Sequence, residues 1–230
     1  MKDFDILQEK IKVCFKNTDF LRMAFTHRSY VNEHKRSGYE HNERLEFLGD
    51  AVLELAVTEF LFEKYPKGTE GDLTSYRAAL VNTNTLSDIA RALGMNDHLL
   101  LSKGEAKDQG RARQYILANV FEATIGAIFL DQGYAEAKDF IARNLFHLAD
   151  KIVSEKSWLD AKSHFQERAQ ELLGTTPSYK TIKESGPDHD KNFTVGVYVG
   201  KELIAEGDGR SKQEAEQEAA ERALVAKGWQ

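Results

Sequence analysis

The chain has 230 residues, 41% of them hydrophobic and 30% charged, enough for one large domain or two modest ones with real cores. Its net charge of −6 argues against a globally basic nucleic-acid-binding surface, so any such function must rest on local patches. A single cysteine, Cys14, excludes an intramolecular disulfide and fits a reducing compartment.

Met1 to Asp5 is nothing like a signal peptide, and no apolar run is long enough to span a bilayer. A cytoplasmic protein with no membrane partner is expected. Residues 4–15 read as an amphipathic helix, with Phe4, Leu7, Ile11 and Phe15 on one side, and 19–25 as a second short helix. A polar loop follows, carrying His27, His34 and His41. Three histidines suggest zinc, but their spacing matches no usual ligand pattern and no cysteine is near. His27 reads instead as a packed or capping residue.

Asn42 to Leu55, NERLEFLGDAVLEL, opens a long helix that runs to about Tyr65 and is stopped by Pro66. Asn42 is placed as its N-cap, with Glu43 at its positive end. Leu45, Leu48, Val52 and Leu55 repeat at helical spacing. Glu43, Glu46 and Asp50 fall within roughly 60° of one another on one face. Like charges at this spacing repel, and burial raises the cost of each. A stripe of oxygen-only ligands suits a hard divalent ion, Mg²⁺ or Mn²⁺. The alternative is a solvated acidic face, to which Glu54 also fits. Gly49, costly inside a helix, implies that something packs close to it.

Thr69 caps one further helix, read from Gly71 to Leu93 and ended by Gly94. The next stretch carries Lys103, Lys107, Arg111 and Arg113. It is either a solvated loop or a phosphate contact. Tyr115 to Leu130 is the second buried helix. It is nearly all apolar yet holds Asn119 and Glu122 on one face. Both need partners, which the acidic stripe and a metal would supply. Gly126 and Ala127 permit close helix–helix approach. A last helix of this half runs from about Ala135 to Val153.

The texture changes at a joint near 154–159. After it come a helix at 160–173, strands at 178–184, 192–199 and 202–207, and a helix at 212–227. The α-β-β-β-α order suggests two helices on one face of an antiparallel sheet. Neither half is basic: residues 160–230 hold 10 Lys and Arg against 13 Asp and Glu, a balance of −3 that the remainder also carries. Any nucleic-acid affinity should therefore be moderate and steeply salt-dependent. Glu214, Glu216, Glu218 and Glu221 read as the solvent face of the last helix.

Three motifs in order bring a family into view: ERLEFLGDAVLEL from Glu43, ILANVFEATIGAIFLDQG from Ile116, and a C-terminal set of DAKSHFQE, SGPDHDKNFTV and GDGRSKQEAEQEAAERAL. The first half resembles the bacterial ribonuclease III family and the second its double-stranded-RNA-binding domain. The resemblance implies two domains: an all-α nuclease domain over residues 1–155 and an α+β RNA-binding domain over 160–229. It implies a homodimer, formed through the nuclease domain, that cuts double-stranded RNA with Mg²⁺, Mn²⁺ substituting. The products would carry 5′-phosphate and 3′-hydroxyl ends with short 3′ overhangs, and the substrates would be ribosomal-RNA precursors and structured messenger RNAs.

By the same resemblance the metal ligands fall on Glu46, Asn119 and Glu122, with Asp50 and Glu122 essential for cleavage and Glu43 in support. The family often carries Asp where this chain has Asn119; an amide oxygen can ligate Mg²⁺ but brings no charge. Phe47 is a dimer contact by resemblance and ordinary core by composition. In the RNA-binding domain, Ser163, Gln166 and Glu167 face one minor groove, the loop with His189 reaches the next, and Arg210, Ser211 and Lys212 meet phosphates at a helix N-terminus. Gln213 stands where the family often has a second lysine. The rival to an enzyme is an RNA-binding regulator whose nuclease half is only a dimerisation scaffold, a reading that Asn119 alone supports.

Overall fold

The computed structural model describes residues 4–35, 38–107, 110–154, 161–186 and 191–229. The chain divides into two compact units, Met1–Trp158 and Leu159–Gln230. Beyond Ser154, the joint read at 154–159 lies outside the described residues.

The first unit is helical: α1 (Phe4–Ile11), α2 (Thr18–Ala24), α3 (Arg28–Glu33), α4 (Glu43–Lys64), α5 (Glu70–Leu80), α6 (Thr83–Ala92), α7 (Arg111–Gln132), α8 (Tyr134–Leu145) and α9 (Ala149–Ser154). α7 is the centre of the core. Twelve of its residues are buried, and α2, α4, α6 and α8 pack around it. Leu53, Val57, Leu86, Phe121, Phe140 and Ile141 fill the space between them, with the Phe121 and Phe140 rings 5.5 Å apart.

Several boundaries differ from the sequence reading for local reasons. α1 stops at Ile11 because Lys12 adopts a left-handed conformation, φ 56°; Phe15 is still buried, and its N–H donates to Gln8 Oε1 at 2.8 Å. The expected single helix over 71–93 is two helices. Asn82 breaks it, accepting the Thr85 N–H at 2.9 Å as the N-cap of α6, the competition with backbone hydrogen bonds expected of Asn. Likewise, α3 lies in the stretch read as a loop, capped by His27, whose ring nitrogen accepts from Ser29 N–H. Residues 135–153 also break, at a 3-10 turn over Phe146–Leu148.

The second unit holds α10 (Ala161–Leu173), β1 (Ser178–Ser185), β2 (Asn192–Val199), β3 (Glu202–Gly209) and α11 (Lys212–Lys227). The strands form one antiparallel sheet with β2 in the middle. Val195 and Val197 point into the core, as their alternation implies, beside Phe165, Ala219, Ala220 and Ala223. Trp229 stacks on Phe165 at 5.3 Å.

One contact sets the geometry of the first unit. α4 and α7 cross so closely that a Cβ on Gly49 would collide with the Glu122 carbonyl, and a Cβ on Gly126 with the Leu45 carbonyl. No side chain can shift to admit a methyl, because the obstacle is backbone. Gly49→Ala should therefore lower the unfolding free energy by about 2 kcal/mol or more, read as a lower urea midpoint. Gly71→Ala is the contrast: its nearest neighbour would be 3.8 Å away, and it should be neutral or stabilising by about 0.5–1 kcal/mol.

Candidate active site and nucleic-acid interface

The interlock of α4 and α7 brings together the polar groups that each helix carries. Glu46 and Asn119 are half-buried and share a side-chain hydrogen bond. Glu122 is half-buried one turn further along α7 and feels both Asp50 and Glu46. Asp50 and Glu43 lie toward solvent. Glu43 has two basic neighbours that the sequence reading did not connect to it: the Arg28 guanidinium, Nη1 at 3.5 Å, and the His41 ring, Nδ1 at 3.7 Å. Adjacency of His41 in sequence was the only signal for that pair.

The electrostatics follow from the crossing. Burial, then Asp50, then Glu46 push the Glu122 carboxyl up to about 8. Glu46 is also raised, first by burial and then by Glu43, while the Asn119 hydrogen bond pulls it back. Asp50 is raised by partial burial of its carboxyl and then by Glu54. Three acids that all resist ionisation are short of positive charge. Every donor is an oxygen, the chemistry of a hard divalent cation. Among the described residues no three His, Cys, Asp or Glu side chains are gathered tightly enough to make an ion cage by themselves.

The histidines have separate occupations. His27 caps α3 and bonds Ser29 Oγ at 2.8 Å, and His34 stacks on Tyr30 at 4.1 Å. The basic stretch before α7 is partly structural. Arg113 is buried, donating to Asn96 Oδ1 at 2.9 Å and to the Glu105 carbonyl at 2.7 Å, so it is not a phosphate contact. Asn42, expected as the N-cap of α4, makes no cap bond; it is buried and its Nδ2 donates to the Ala24 carbonyl. Leu55, read as core, is 57% exposed, and with Phe47 at 82% and Phe62 at 72% it forms an apolar stripe on α4.

In the second unit, Ser163, Gln166 and Glu167 are exposed on α10, opposite the buried Ala161, Phe165 and Ala169. Ser211 caps α11, accepting the Glu214 N–H at 3.1 Å. Lys212 pairs with Glu184 at 3.0 Å and lies over the Phe193 ring, and Arg210 is exposed. His189 lies outside the described residues. The acidic run on α11 is more than a solvent face: Glu214 accepts from Arg210 N–H, Glu216 pairs with Lys162 of α10 at 2.6 Å, and Glu218 holds Arg222 at 2.7 Å.

The raised Glu122 carboxyl gives a pH signature. A carboxyl that binds its proton more tightly in the folded state destabilises the fold as that proton is lost. Stability of the metal-free protein should fall as pH rises from about 4.5, the unfolded value, toward about 8. Glu122→Gln should flatten that slope in thermal melts taken across the window.

Comparison with known proteins agrees with both halves. The family described as Ribonuclease-III-like matches residues 17–149, and the double-stranded RNA binding motif matches residues 161–225. Ribonuclease 3 of Bdellovibrio bacteriovorus is 45% identical over 96% of this chain and 94% of its own. Ribonuclease 3 of Listeria monocytogenes is 43% identical over 97% of each. The solved nuclease domain of ribonuclease III from Campylobacter jejuni is 43% identical, with a TM-score of 0.56, over 62% of this chain and 93% of that one. The helical unit with its α4–α7 acids and the α-β-β-β-α unit after it therefore have one reading: the chain belongs to the ribonuclease III family, the double-stranded-RNA endoribonucleases.

Proposed function

We propose that this chain cuts both strands of double-stranded RNA with Mg²⁺, Mn²⁺ substituting, at the α4–α7 crossing. The observation that carries this is the half-buried Glu122, pressed against Asp50 and Glu46 by a helix contact that admits no side chain between the backbones. Glu46, Asn119 and Glu122 would hold the ion, with Asp50 beside them. A divalent ion supplies charge neutralisation at the scissile phosphate and a nucleophilic water at neutral pH.

The chain's own groups do the rest. Asn119 holds Glu46 by hydrogen bond and contributes an oxygen without adding a fourth negative charge. Glu43, paired with Arg28 and His41, sits at the solvent end of the site, where it can orient water or RNA. The cut leaves 5′-phosphate and 3′-hydroxyl ends with short 3′ overhangs, and ribosomal-RNA precursors and structured messenger RNAs are the expected substrates, in the cytoplasm. No helix among the described residues is long and apolar enough to cross a membrane.

A duplex has two strands, and a two-fold dimer supplies two sites. The exposed Phe47, Leu55 and Phe62 stripe supports such an interface, since contiguous apolar surface marks a partner. A study of the Campylobacter jejuni nuclease domain names a region involved in dimer formation, which adds to this reading. The RNA-binding unit would read shape. Ser163, Gln166, Glu167 and His189 would meet the minor groove, and Arg210, Ser211 and Lys212 the phosphates. Glu184 must then yield Lys212 to RNA.

Cleavage of a labelled RNA duplex with Mg²⁺ tests the proposal. The parent should cut, Glu122→Gln should lose at least about a thousandfold in rate, and Asn119→Asp should stay active. A parent that binds duplex RNA but cuts only after Asn119→Asp would instead mark a disabled nuclease that works as a binding protein. Phe47→Asp should shift the protein to monomer in sedimentation.

A further inference from the structure

Asn42 stands immediately before the acidic helix and does not cap it. It is 2% exposed, and its bonds run elsewhere. Its side-chain Nδ2 donates to the Ala24 carbonyl at 3.1 Å, and its backbone N–H donates to the Thr26 carbonyl at 2.9 Å. Ala24 is the last residue of α2, so its carbonyl is one of those a helix end leaves unpaired. One residue therefore closes the C-terminus of α2 and fixes the N-terminus of α4.

The anchor it grips is itself rigid. Thr26 is fully buried, and its hydroxyl donates to the Arg22 carbonyl at 2.8 Å. The segment from Phe25 to His27 is tied to Leu100 by two backbone bonds, Leu100 N–H to the Phe25 carbonyl at 2.8 Å and His27 N–H to the Leu100 carbonyl at 3.0 Å. In the other direction, the Asn42 carbonyl accepts the Glu46 N–H at 2.9 Å. The first turn of α4 has no side-chain cap, yet it carries Glu43 and Glu46. The backbone contact with α7 begins at Leu45, whose carbonyl lies against Gly126, so the residues before it depend on Asn42 for their anchor.

We propose that Asn42 is a positioning residue for the metal site: its two bonds to the end of α2 hold the first turn of α4 so that Glu46 faces Asn119. The inference rests on the proposed ion site and adds a residue that touches neither ion nor RNA. Its loss should act selectively. Glu46, whose N–H bonds the Asn42 carbonyl, loses one of the contacts that orient it, while Asp50 and Glu122, farther from Asn42, keep their places.

The test is Mn²⁺ binding to the full chain without RNA, followed by electron paramagnetic resonance. Asn42→Leu keeps the volume and removes the donor; Asn42→Ala is the second variant in case the first fails to fold. Loss of a residue that orients a ligand costs about 10- to 100-fold in metal affinity, and that is the expected weakening. Duplex-RNA affinity measured in Ca²⁺ should change less than about twofold, because the RNA-binding unit is untouched. Tyr65→Phe, which removes the Tyr65–Asp150 hydrogen bond at the other end of α4, is the stability control. Mn²⁺ affinity unchanged in a folded Asn42 variant overturns the inference, as does an equal loss in Tyr65→Phe. A parent that binds no Mn²⁺ overturns the ion site itself, and a parent that binds while the variants match it overturns only the role of Asn42.

Discussion

Backbone contact between α4 and α7 is the constraint on which the rest of the nuclease unit depends. Gly49 and Gly126 each lie against the other helix's main chain, so the two axes approach without side chains between them. Packing at that distance is unforgiving, because a protein interior has no spare volume to absorb a methyl. It also decides what the polar residues on each helix must do. Glu46 and Asp50 on one side, and Asn119 and Glu122 on the other, are carried to the same place whether or not their charges favour it.

The electrostatic consequence is a site strained toward a cation. Desolvation is the leading cause of the raised carboxyls, and mutual repulsion comes second. Apolar burial elsewhere in the unit, in the core built on Phe121, Phe140 and their neighbours, must offset that cost. Asn119 fits the same logic. A carboxylate at its position would add a fourth acid to a site already short of positive charge, whereas the amide relieves Glu46 by hydrogen bonding.

The two units solve different problems with the same acidic composition. In the nuclease unit acids are concentrated and left uncompensated at one crossing. In the RNA-binding unit they are matched by bases, Glu216 with Lys162, Glu184 with Lys212, and Glu218 with Arg222. The more exposed of these pairs, Lys212 with Glu184 and Arg222 with Glu218, contribute little stability each.

The sequence by itself determined most of this. Periodicity placed α4, α7 and the middle strand, turn residues bounded the other two strands, and the spacing of Glu46 and Asp50 against Asn119 and Glu122 matches the faces that meet. Gly49 announced a close neighbour because nothing else justifies glycine inside a helix. Apart from boundaries set by local turns, such as the Asn82 cap that splits 71–93, what failed depended on a partner distant in the chain. Asn42 could cap its own helix or close another, and only the location of Ala24 decided it. Leu55 has the same side chain whether it faces α7 or solvent, and Arg113 the same charge whether it meets phosphate or the Glu105 carbonyl. Local pattern fixes what a residue can do; the tertiary fold chooses among its options, because the energy of burial and of a hydrogen bond belongs to the pair and not to the residue.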